Sequence, residues 1–110
     1  MKTTVNLTSN AQCKELFPKG TELNYIIVSQ IFGAVKVGRS QNLIEDYRAS
    51  SRYFPDATVV CVKVTNNRDV SEANESRLKE LFASENVTRN TGKTSEVYKT
   101  DDITKFIKAL

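Results

Sequence analysis

Apolar residues recur along this chain at two different spacings. From Tyr25 to Ser40 the order Tyr-Ile-Ile-Val-Ser-Gln-Ile-Phe-Gly-Ala-Val-Lys-Val-Gly-Arg-Ser reads as two short strands joined by a turn at Phe32-Gly33. Alternate side chains of a strand face opposite ways, so Tyr25 pairs with Ile27 on one face, and Lys36 with Gly38. A hairpin can thus present a phenol, an ammonium and bare glycine backbone on one surface. Ala57 to Val64 is nearly apolar throughout and predicts a central strand.

Elsewhere the spacing is helical. Ser9 or Asn10 caps a short helix with Cys13, Leu16 and Phe17 on one face, ended by Pro18-Lys19-Gly20. Ser40 or Asn42 caps a second, whose stripe is Leu43, Ile44, Tyr47, Ser51 and Phe54, broken at Pro55-Asp56. A third, over about residues 70–83, follows Asp69 or Ser71 and carries Val70, Ala73, Leu78, Leu81 and Phe82. Residues 86–93 are polar and turn-rich, with Gly92 as a hinge, and Glu96-Val97-Tyr98 reads as a short extended piece. Asp101 or Asp102 starts a last helix with Ile103, Phe106, Ile107 and Leu110 inward. The pattern predicts an α/β (α+β) fold with a small three-stranded, mainly antiparallel sheet flanked by helices. Residues 1–22 form an N-terminal extension with its short helix, covering one side of the sheet, and 23–110 form the main domain.

Length and composition narrow this further. A chain of 110 residues, 39% apolar and 26% charged, is one globular domain with enough core to fold without staples. No apolar run approaches the ~20 residues of a membrane span, and the first residues lack the apolar stretch of a signal peptide, so a cytoplasmic protein is expected. A net charge of +3 permits a nucleic-acid partner without requiring one. Cys13 and Cys61 have no CxxC spacing and read as buried thiols. Histidine is absent, which removes the usual zinc sites and the Ser-His and Cys-His triads. Proton transfer is left to Tyr, Lys or carboxylates, and a metal would have to be oxygen-liganded, such as Mg²⁺ or Mn²⁺.

Two charged residues fall where helices usually carry core. The helical wheel puts Glu75 on the flank of the third helix's stripe and Arg48 on the flank of the second's, with Asp46 facing roughly away from it. Partly buried charges are costly unless paired or functional. Glu75 and Arg48 either pair with each other, or Glu75 holds a metal while Arg48 faces a phosphate.

At this point the chain resembles a GIY-YIG domain. That family joins a Gly-Ile-Tyr strand and a Tyr-Ile-Gly strand in a hairpin, then adds a helix with an arginine and another with a glutamate. Tyr25 would be the first motif's tyrosine, and Lys36-Val37-Gly38 would stand for the second motif, at the family's eleven-residue separation. Lysine in that place resembles a largely phage and bacterial branch reading Lys-Ile-Gly-Arg-Ser/Thr. Glu75 in Glu-Ser-Arg-Leu-Lys-Glu-Leu-Phe matches the helix glutamate, and Gly92 with Glu96-Val97-Tyr98 resembles the branch's later Gly and Glu-Trp-Phe segment. The likeness spans about residues 23–110. It departs in lacking Gly-Ile before Tyr25, in lacking the tryptophan, and in having Asp46 eight residues after the motif glycine, where the family has its arginine; Arg48 stands two residues on.

The resemblance implies phosphodiester hydrolysis with one Mg²⁺ or Mn²⁺. Tyr25, Lys36, Arg48 and Glu75 would be catalytic: Glu75 as the metal ligand, Tyr25 or Lys36 orienting or deprotonating the attacking water, and Arg48 balancing charge on the phosphorane. Gly38 would admit the phosphate to the backbone, and Arg39, Arg52 and Lys93 would position the nucleic acid, with DNA the expected partner. Three readings follow: a metal-dependent nuclease of phage or mobile-element type; an inactive relative that binds nucleic acid or a host protein through the same face; and a small adaptor sharing only the fold.

Overall fold

Strand β2 (Leu23–Ser29) is buried at every position and forms the middle of the sheet. In the computed structural model, residues 2–87 and 96–110 are described, Glu96 by its backbone alone. The remaining strands are β1 (Lys2–Leu7), β3 (Ala34–Ser40), β4 (Thr58–Val64) and β5 (Glu96–Lys99). The order is β1-β4-β2-β3-β5, and every neighbouring pair is antiparallel. The fold is therefore α+β with an antiparallel sheet, as expected, but of five strands rather than three. The two additions are edge strands. β1 comes from the residues read as extension; its Lys-Thr-Thr-Val-Asn-Leu is mostly solvent-exposed, so it carries little of the alternation that marks a strand. Val97 and Tyr98 supply the apolar content of β5, whose partner is β3.

Helices cover both faces. On one side lie α1 (Asn10–Leu16) and α2 (Leu43–Ser51), over Leu23, Tyr25, Ile27, Val59 and Val62. On the other lie α3 (Arg68–Leu81) and α4 (Ile103–Ala109), over Ile26, Val28, Val35, Val37 and Cys61. In β4, Val59 and Val62 share a core although three residues apart. The register between β2 and β4 slips after Ile26, which pairs with Cys61 while Ile27 pairs with Val59, so a bulge at Val60 inverts the alternation.

Caps fix the helix starts. Ser9 accepts from Gln12 N and Asn42 from Glu45 N, both at positions foreseen. Helix α3 begins two residues earlier than expected because Asn67 accepts from Val70 N. Cys13 and Cys61 are free and fully buried; burial pushes the Cys13 thiol up to about 11 and the Cys61 thiol up as well. Among the described residues, no helix is long and apolar enough to cross a membrane.

Candidate functional site

Antiparallel pairing sets Tyr25 of β2 opposite Gly38 of β3. The tyrosine ring lies directly over the glycine. A Cβ on Gly38 would sit 2.5 Å from Tyr25 Cζ and 2.8 Å from Cε2, so nothing larger than glycine fits beneath that ring. Tyr25 is 1% exposed, and its hydroxyl reaches across to α2, donating to Asp46 Oδ2 at 2.7 Å. Ser40, at the end of β3, donates to Asp46 Oδ1 at 3.0 Å and accepts from Asn42 N at 2.8 Å. The cap of α2 thus holds the carboxylate against the phenol.

These residues open onto a polar cleft of about 430 Å³, lined by Tyr25, Gly38, Arg39 and Asp46 from the hairpin side and by Glu72, Glu75 and Ser76 from α3. What seats α3 is a buried amide. Asn24 is fully buried and donates to Ser71 O of α3 at 2.9 Å and to Gly38 O at 3.3 Å, while Asn74 donates to Asn24 Oδ1 at 3.0 Å. The same side chain therefore ties the glycine strand to the helix that carries Glu75.

The electrostatics are acidic. Asp46, Glu72 and Glu75 face one guanidinium, Arg39, which is engaged: it donates through Nε to Glu22 Oε2 at 3.1 Å and through Nη2 to Glu22 Oε1 at 2.9 Å. This bidentate pair holds the buried Glu22 carboxyl below its usual range and the Arg39 guanidinium above its own. Glu72 pairs with Arg68 at 2.9 Å on the exposed face of α3. Burial, then the Asp46 charge, pushes the Tyr25 phenol well above 10, so it is a neutral donor across the physiological range.

Of the sequence-predicted catalytic residues, Tyr25 and Glu75 meet in the cleft, joined by Gly38 and Arg39 from the expected nucleic-acid set. Lys36 does not line it. It is 4% exposed, donates to Ser50 Oγ at 3.2 Å, and lies 5.8 Å from the ring centroids of both Tyr25 and Tyr53. Arg48 on α2 and Arg52 just after it are exposed and do not line the cleft, and Arg48 joins no ion pair among the described residues. Lys93 and Gly92 lie outside the described residues.

Asp46, expected to face away, is in the site, and the reason is the phase of α2. Of the expected stripe, Ser51 is exposed and Ile44 only partly buried at the edge of the core. The residues that bury are Leu43, Tyr47 and Ser50, which rotates the stripe toward Asp46 and turns Arg48 outward. In α3, Val70 and Leu81 are exposed while Ser71, Leu78 and Phe82 bury, bringing Glu75 nearer the sheet than a flank position. Asn24 was missed as well; an amide in an otherwise apolar strand was the available signal. No family model, curated protein or solved structure matches this chain.

Proposed function

We propose that the cleft is the site of a divalent-metal-dependent, endonuclease-like domain of GIY-YIG type, acting on nucleic-acid phosphodiesters. One observation carries the reading: a buried tyrosine and a helix carboxylate, Tyr25 and Glu75, face the same polar cleft across a glycine strand. The donor set suits a hard cation. Glu75 offers carboxylate oxygen to the cleft, and Mg²⁺ is commonly held by one or two carboxylates while it keeps several waters. Among the described residues no group of three His, Cys, Asp or Glu side chains is placed to hold a metal ion. Glu75 would hold the ion, with Asp46 beside it, and a bound Mg²⁺ or Mn²⁺ would polarise the phosphoryl oxygen and the leaving group.

The chain's own groups then divide the proton work. A neutral Tyr25 is a poor base alone, but its proton already points at Asp46. As Tyr25 Oη takes a proton from the attacking water, it passes its own to Asp46 Oδ2. The phenol relays and the carboxylate is the base. Ser40 keeps that carboxylate in place. Lys36, under the tyrosine ring, supports the ring's position without reaching the cleft.

A second reading is favoured by a different observation. The cleft has a carboxylate, Asp46, where a phosphodiesterase needs a cation, Arg48 is turned away, and Arg39 is occupied by Glu22. On this reading the domain is catalytically inactive and binds nucleic acid or a host protein. Cleavage of plasmid, single-stranded DNA and RNA with Mg²⁺ or Mn²⁺ decides. Cutting abolished by Glu75→Ala and retained in Arg48→Ala supports the enzyme; clean protein that binds in a salt-sensitive way without cutting supports the inactive module.

A further inference from the structure

Away from the cleft but on the same face of the sheet, the turn after β2 and the end of α2 leave aromatic rings exposed. Phe32 and Tyr53 are each 45% exposed, and Ile31 beside Phe32 is 67% exposed. Phe54, buried beneath, holds both rings: its centroid is 6.1 Å from that of Phe32 and 4.7 Å from that of Tyr53, edge-on. Together with Val87 and Val97 they wall a shallow apolar groove of about 240 Å³, with Lys99 at its rim.

Basic side chains flank the groove. Lys99 donates to Phe32 O at 2.6 Å and so is fixed beside the ring. Lys36 lies behind Tyr53. Arg52 precedes Tyr53, Arg48 lies one helical turn before it, both are exposed, and neither has an ion-pair partner among the described residues. The carboxylate at this end, Asp56, is committed to the turn: it accepts from Ser29 Oγ at 2.5 Å, Gln30 N at 2.9 Å and Ile31 N at 3.1 Å.

We infer that this surface is a stacking platform for unpaired bases, and that the nucleic acid the domain takes is single-stranded near its cleft. The inference rests on the reading that the domain engages nucleic acid. Flat apolar rings flanked by unpaired cations match a polymer of flat apolar bases on an anionic backbone. In a duplex the base faces are already stacked and cannot reach Phe32 or Tyr53; an unpaired strand can splay its bases onto them. Lys36, itself buried, lies 5.8 Å from the ring centroids of both Tyr25 and Tyr53, so one side chain packs between the tyrosine of the cleft and the tyrosine of the platform. Arg48 and Arg52, exposed and outside the cleft, are the cations that would hold phosphates of a strand stacked on Tyr53.

The chain has no tryptophan, so Tyr53→Trp creates a single reporter at the platform. Titration with a dT oligonucleotide in EDTA, where nothing can be cut, is expected to quench its emission, and a duplex of equal length is expected to quench it far less. Tyr53→Ala and Phe32→Ala, checked for unchanged thermal unfolding, should weaken dT binding by about tenfold each. Arg52→Ala should reduce the salt dependence of binding. Unquenched tryptophan, or dT affinity unchanged in both alanine variants, overturns the platform, as does concentration-dependent self-association that the double variant abolishes. Because binding is read without metal and apart from Glu75, absence of cleavage leaves the platform standing. A platform that fails while plasmid is still cut leaves the enzyme standing.

Discussion

Tyr25 donates its hydroxyl to Asp46 across 2.7 Å, from the central strand to the first turn of α2. A buried phenol beside a carboxylate ionises late, because its anion would be both desolvated and repelled. Asp46→Asn keeps an acceptor and removes the charge. It is expected to lower the ionisation pH of Tyr25, followed by tyrosinate absorbance and assigned with Tyr25→Phe, while leaving it above that of a free phenol, since burial is the larger cause. The folded-state value is raised, so Tyr25 contributes stability that is fully present below about pH 10 and lost as the pH rises further. An alkaline titration identical in both proteins would show that the charge does not act on the ring.

Gly38 is fixed by the same ring. In Gly38→Ala the new methyl meets Tyr25 Cζ at 2.5 Å in a fully packed layer, and urea unfolding should show a loss of about 1–3 kcal/mol. If the ring is the cause, the loss shrinks when Tyr25 is first cut to alanine, and the two changes are non-additive. Equal cost in both backgrounds would assign the glycine to the strand alone.

The hairpin, the apolar β4 and the order of helices were legible because each has a strong local signature. Tyr25, Gly38 and Glu75 were legible for the same reason: period-two and period-3.6 placement fixes direction before any tertiary contact forms. What was illegible depended on partners distant in sequence. Asp46 and Arg48 differ by two positions on one helix, and the choice between them turns on whether Ser50 or Ser51 faces the sheet. Ser50 buries because its hydroxyl bonds Asp46 O and accepts from Lys36, which no periodicity count registers. Strand β1 is visible only through its pairing with β4, since its own side chains are mostly in water. Asn24 has its role only through Ser71, 47 residues away in sequence, which no local pattern brings beside it.

That amide supports a prediction of its own. Asn24→Leu has similar size but leaves Ser71 O and Asn74 Nδ2 without the partner they have now. Orphaning buried polar groups costs about 1–3 kcal/mol, so the variant should unfold at a lower urea midpoint by that amount. Asn74→Ala, which removes only the outer donor, should cost less. The reverse ranking would mean that α3 is seated by its apolar residues, Leu78 and Phe82, and not by the amide.

Glu22 and Arg39 tie part of the fold's stability to pH. Glu22 is buried at the start of the hairpin, and its carboxyl lies below its usual range chiefly because Arg39 donates to it twice. A depressed folded-state value means that this stabilisation is present above about pH 4.5 and is lost as the pH falls through the folded-state value. Glu22→Gln cannot ionise, so its stability should vary less between pH 5 and pH 3 than that of the wild type, as read from urea midpoints. Arg39→Met removes the guanidinium and leaves the carboxylate buried, which should cost about 1–3 kcal/mol at pH 7 and less under acid, where Glu22 protonates. The double variant Glu22→Gln/Arg39→Met should recover part of that loss at pH 7. If it recovers nothing, the pair is not coupled, and Arg39 stabilises the cleft through its packing alone.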